Sequence, residues 1–189
     1  MLNGELPAVE GSQMKPGWIN PEAIEYNNDR TIRRWLIFSV TVFDYNMPGM
    51  PLTFIREDGK YIRILDTHGT TDFASTPPLM WSLPGFAPQR FPKPATFHDD
   101  IYRRHAVLIS SDGQQYRRHF VSRSWADDLL QEMIAHDTTP GNWLEAHAYH
   151  DGVRLGGWAA WQKKKPPDYS GGLNDHALTI GADVQAPTP

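Results

Sequence analysis

The stretch "LTFIREDGKYIRIL", residues 52–65, sets Asp58-Gly59 between two runs rich in β-branched and aromatic residues. That dipeptide is the strongest short-range signal for a β-hairpin, because Asp and Gly accept the backbone angles that a tight reversal needs. Upstream, Leu36, Phe38, Val40 and Val42 alternate with Ile37, Ser39 and Thr41, which predicts a strand over Trp35–Phe43. Beyond residue 92 the period changes from two to 3.6. One helix is expected over Ala95–His105, just after Pro94. A second is expected over Trp125–His136 with Ser124 as N-cap, and a third over Asn142–Trp161 behind Thr139-Pro140. Between the first two, Asp112-Gly113 marks a second small hairpin. Strands followed by helices place the chain in the α+β class: a small antiparallel sheet with a hairpin, followed by a layer of about three helices.

With 189 residues, 40% of them hydrophobic, there is material for one domain with a core, expected over residues 33–162. Residues 1–32 carry Gly4, Pro7, Gly11, Pro16, Gly17 and Pro21 without a sustained period and read as an extended arm. Residues 163–189, with Pro166-Pro167 and Gly171-Gly172, read as an extended tail. Trp18, Ile19 and Ile24 in the arm, and Leu178 and Ile180 in the tail, are isolated apolar anchors suited to grooves on neighbouring subunits. The net charge of −4 makes no electrostatic case for nucleic acid. The absence of cysteine removes disulfides and thiolate metal sites. No apolar run approaches the roughly 18 residues of a membrane span. The start "MLNGELPAVEGSQ" has neither a basic nor an apolar signal region, so a protein made in a cytoplasm is expected.

The chemistry gathers in two places. "TDFASTPP", residues 71–78, lies in a long connection over residues 66–92, with a helical turn expected at Leu79–Leu83, and long connections in compact domains tend to be functional. "FHDDIY", residues 97–102, opens the first helix, where His98, Ile101, Tyr102 and His105 share one face. On the second helix Ala126, Leu129, Leu130, Met133 and Ile134 form the apolar stripe, with Asp127 beside it. On the third, Ala146, Tyr149, Val153, Gly157 and Ala160 face one way, and Gly156-Gly157 lets another chain segment come close. Packing these elements brings His98 and Asp127 to one spot beneath Asp72. An imidazole oriented by a carboxylate is a general base for water. Asp72 and Asp99 would repel unless a cation sat between them, and oxygen ligands suit Ca²⁺ or Mg²⁺. Each residue also has a plainer role. His98 can be a core histidine, Asp99 an ion-pair partner of Arg103, and Asp72 and Ser75 turn formers. Asp127 can close a capping box with Ser124.

"TDFASTPP", "FHDDIY", "WADDLLQEMI" and "AYHDGVRLGGWAAW" resemble, in order and spacing, a phage and prophage family known as domain of unknown function DUF-1353. The resemblance covers residues 33–162 and implies a phage origin without an activity. Its motifs supply Ser75, Tyr102, Tyr149 and Arg154 as supporting residues. Locally, His-Asp-x-x-Tyr with a remote Asp is similar to the phospholipase A2 site. That similarity implies His98 as water-activating base, Asp99 as cation ligand, Asp127 as the residue orienting His98, and Tyr102 as a supporting hydrogen bond. Two functions follow. One is a virion-associated (tail or neck) hydrolase acting on the host envelope. The other is a structural virion subunit whose arms bind other phage virion proteins and whose polar cluster is glue.

Overall fold

The Asp58-Gly59 turn forms where the sequence places it. Gly59 N–H donates to the Arg56 carbonyl at 2.9 Å, Gly59 takes φ +79°, and Asp58 Oδ1 accepts the Lys60 N–H at 3.1 Å. Only glycine adopts that φ without strain, so the reversal is pinned at this residue. The protein is described by a computed structural model over residues 15–19, 24–35, 38–71, 90–137 and 143–163.

The turn joins β4 (Thr53–Ile55) to β5 (Tyr61–Arg63), with Phe54 opposite Ile62. A second hairpin, β7 (Ala106–Ser110) and β8 (Arg117–Phe120), extends the same sheet from β5. Its loop is held by Asp112, whose Oδ1 accepts from Ser110 Oγ and from the Gln114 and Gln115 N–H groups. Those bonds to the charged form bring the Asp112 carboxyl down to about 2. On the far edge lies β1 (Gly17–Trp18), giving the antiparallel order β1-β4-β5-β7-β8.

A second sheet, in the order β2-β3-β6, consists of β2 (Glu25–Trp35), β3 (Phe38–Asn46) and β6 (His68–Thr71). Of the strand expected over Trp35–Phe43, residues 38–43 lie in β3, which runs on to Asn46, Trp35 lies in β2, and residues 36–37 lie outside the described residues. Two register irregularities interrupt β2 against β3, between Asn27 and Arg30 and between Arg33 and Trp35. Tyr45 stands opposite Gly69, and a Cβ on Gly69 would lie 2.7 Å from the Tyr45 hydroxyl oxygen, so the phenol ring lies across β6 because that position has no side chain.

Four helices lie among the described residues. α1 (Pro92–Arg104) begins three residues before the expected start, because proline's fixed φ suits a first turn. It ends at His105, which takes the left-handed φ of 52° and donates its N–H to the Ile101 carbonyl. α2 (Arg123–Ala135) is capped by Ser122, whose Oγ accepts the Trp125 N–H at 3.2 Å. The expected Ser124 cap is therefore corrected by two residues. The single helix expected over Asn142–Trp161 is two: α3 (Trp143–Gly156) and α4 (Trp158–Lys163), broken at Gly157.

The class is α+β, with the helices packed on one face of the five-stranded sheet around Phe54, Ile62, Phe97, Ile101, Val107, Leu129, Met133 and Val153. All five stripe residues of α2 are buried. No described helix is long and apolar enough to cross a membrane.

The reading of residues 1–32 as an arm needs correction. Residues 17–18 and 25–32 are strand, and Trp18 packs on Phe54 (centroids 5.2 Å apart) and on Phe97 (6.1 Å). Ile24 also packs against the core, so two of the arm's three anchors dock within their own domain. The β2 sequence "EYNNDRTIRRW" is too polar to show a period of two, which is why the strand was not legible. Residues 1–14, 20–23 and 164–189, including Leu178 and Ile180, lie outside the described residues, as do 72–89 with the helical turn expected at Leu79–Leu83.

Trp18→Ala is expected to destabilise the isolated protein by about 2 kcal/mol, below the full cost of an aromatic deleted from a core because Trp18 is only partly buried. Urea unfolding measures this. An unchanged midpoint would return Trp18 to the role of an anchor for another subunit.

Candidate active site

The spacing on α1 turns His98, Ile101 and Tyr102 inward together, and all three are buried. With Ser122 as the cap, Asp127 lies beyond the first turn of α2, where it faces α1 instead of closing a capping box. Its carboxylate is fully buried, and His98 is 2% exposed. His98 Nε2 lies 3.0 Å from Asp127 Oδ1, and the Tyr102 hydroxyl donates to the same oxygen at 2.6 Å. From α3, Arg154 Nη1 reaches Oδ2 at 3.4 Å, while its Nη2 donates to Ser124 Oγ at 2.9 Å. Arg123 holds that end of α3 by donating to the Arg154 carbonyl at 3.2 Å.

A carboxylate out of water must be paired or neutralised. Burial pushes the Asp127 carboxyl up, but hydrogen bonds from His98 and Tyr102 and the cationic charge of Arg123 outweigh it and hold the group below its ordinary value. Tyr102 moves the other way. Burial raises its hydroxyl first, and donation to the Asp127 carboxylate raises it further. An ionised Asp127 only accepts, so the hydrogen of a neutral His98 ring sits on Nε2 and the lone pair on Nδ1. No hydrogen-bond partner for Nδ1 occurs among the described residues.

The rings of His98 and Tyr102 lie 4.2 Å apart, and Trp161 of α4 meets Tyr102 edge-on at 5.0 Å. Gly157 makes that close fit possible, since a Cβ there would sit 2.5 Å from the Tyr102 hydroxyl oxygen. Gly157, one of the small-residue pair seen in the sequence, therefore accommodates the Tyr102 phenol.

Of the residues expected at the site, the structure brings His98, Asp127, Tyr102 and Arg154 together. Tyr149 is buried but packs edge-on against Phe91 at 5.3 Å and makes no bond to Asp127, so its supporting role at this cluster is corrected to one in the core. Burial pushes its hydroxyl up to about 12. Asp72 and Ser75 lie outside the described residues. Asp99 points away from the cluster and accepts the Thr71 hydroxyl at 2.7 Å. No group of three or more His, Asp or Glu that could hold a metal ion occurs among the described residues.

Sequence reasoning passed over Asp100, which is 1% exposed. Its Oδ2 accepts the Leu65 N–H at 3.3 Å, and Arg104 Nε stands 3.8 Å from Oδ1. The i,i+4 spacing of Asp100 and Arg104 was a legible signal for it. No protein-family model, no curated protein and no solved structure matches this chain.

Asp127→Asn is expected to cost roughly 3 kcal/mol, the scale of breaking a buried charge pair, in chemical unfolding at neutral pH. Asp100 acts oppositely. Burial raises its carboxyl to about 6 from an ordinary 3.8, so its stabilising contribution is complete below pH 3.8 and is lost as pH rises through 6. Asp100→Asn should therefore raise the melting temperature at pH 7.5 and flatten the profile between pH 4 and 7, as a pH series of thermal melts would show.

Proposed function

We propose that this chain is a bacteriophage-encoded hydrolase, carried on the virion tail or neck and acting on the host envelope, with His98 as general base. One observation carries the chemistry: the buried Asp127 carboxylate accepts both His98 Nε2 and the Tyr102 hydroxyl on a single oxygen. Asp127 then fixes the tautomer and the ring plane, leaving the Nδ1 lone pair to take a proton from water. The imidazolium so formed is stabilised by a carboxylate with no solvent to screen it. Tyr102 and Arg154 keep that carboxylate ionised and in place. The four ordered motifs support the phage origin, and the terminal segments rich in Pro and Gly support the virion location. Manufacture in a host cytoplasm belongs to the same proposal.

A second reading has its own observation. At 2% and 0% exposure, His98 and Asp127 are as deeply buried as the aliphatic core around them, which suits a structural pin joining α1 to α2. In that case the chain is a tail or neck assembly subunit. The docking of Trp18 and Ile24 into their own domain removes part of the support for arms that bind neighbours.

Incubation with purified bacterial envelope separates the two. His98→Gln is expected to lower turnover at least 100-fold, the usual contribution of a general base, while the variant still unfolds cooperatively. Tyr102→Phe, which keeps the ring and loses one bond to Asp127, should retain most turnover. If wild-type protein releases no fragments and His98→Gln changes stability alone, the structural reading stands. Mass spectrometry of purified virions checks the location independently.

A further inference from the structure

The polar side chains of α1 reach β6 and the segment that leads into it. Asp99 Oδ2 accepts the Thr71 hydroxyl at 2.7 Å. Arg103 Nη1 donates to the Thr70 carbonyl and, at 3.1 Å, to Thr70 Oγ1. Arg104 pairs with Asp66, and Asp100 takes the Leu65 N–H. Thus Asp99 and Arg103 hold residues 70 and 71 of β6, while Asp100 and Arg104 hold residues 65 and 66 just before it. All four helix residues are within two turns of His98.

We infer that Asp99 is a positioning residue and not a cation ligand: with Arg103 it clamps β6, at Thr70 and Thr71, against the helix turn that carries His98. The donor set supports this. Asp99 already receives a short hydroxyl bond, and Arg103, four residues on, places a guanidinium group on the same face, which opposes a divalent cation. The functional half of the inference rests on the His98 reading above.

The test is a double-mutant cycle on Thr71→Val and Asp99→Asn in the full chain, with Thr71→Ser as the conservative control. Thermal melts are recorded with EDTA, with CaCl₂ and with MgCl₂. Each single variant should lower the melting temperature by a few degrees, the double by no more than the larger single, and Thr71→Ser by almost nothing. Neither cation should change these results. Additive losses would overturn the clamp. A cation-dependent rise present in wild type and Thr71→Val but absent in Asp99→Asn would make Asp99 a ligand. Should Asp99→Asn fail to fold, Thr71→Val against Thr71→Ser still reads the same bond from the strand side. In the envelope assay, Thr71→Val should lose turnover several-fold while Thr71→Ser keeps it, and wild-type turnover in Thr71→Val would overturn the positioning role. If wild type itself shows no turnover, the hydrolase reading fails while the melts still decide what Asp99 does.

Discussion

Asp127 is a carboxylate with no access to water, and much of the helical layer is arranged around keeping it charged. Leaving such a group unpaired inside a protein costs several kcal/mol, so its neighbours are constrained to supply donors. α1 supplies two, from His98 and Tyr102 one turn apart, and α3 supplies a third from Arg154. Three helices distant in sequence are thereby registered at one point. The apolar contacts among Phe97, Ile101, Leu129, Leu130 and Val153 furnish attraction without direction, whereas the carboxylate specifies how the helices must rotate to satisfy it.

The same requirement reaches the fourth helix. Tyr102 can donate to Asp127 only if its hydroxyl occupies the space a side chain at position 157 would fill, and the chain has glycine there. The helix breaks at that residue, and α4 then brings Trp161 over Tyr102 edge-on and over His105 in a near-parallel stack, with centroids 3.9 Å apart. His105 is in turn the left-handed residue that ends α1 and lets β7 begin directly after it. A buried charge, a missing side chain and a helix terminus are thus parts of one arrangement.

α1 therefore has two working faces. The inner face carries the His98 cluster, and the outer face carries the acids and arginines that hold β6. This division separates the two adjacent acids from His98 functionally. Asp99 and Asp100 serve the strand, and the acid that serves the histidine comes from a different helix, 29 residues away.

Local sequence determined what depends on neighbours along the chain. Asp58-Gly59 and Asp112-Gly113 became turns because glycine's freedom at positive φ is intrinsic. The stripe of α2 and the inward face of His98, Ile101 and Tyr102 followed from the 3.6-residue period, and that period was enough to place His98 near Asp127. Tertiary structure decided the rest. The polar strand β2 has no hydrophobic alternation to announce it and exists because β3 offers its backbone hydrogen bonds. Ser122, not Ser124, caps α2, since the choice between two serines rests on which N–H each can reach, and that choice turned Asp127 from a cap into the centre of the cluster. Tyr149 and Tyr102 look alike as inward-facing phenols, yet only packing could set one against Phe91 and the other against Asp127. Trp18 could anchor to its own core or to another chain by composition alone, and the pairing of β1 with β4 brought it onto Phe54. In each case the deciding contact joins residues far apart in sequence, and no local period or propensity records such a contact.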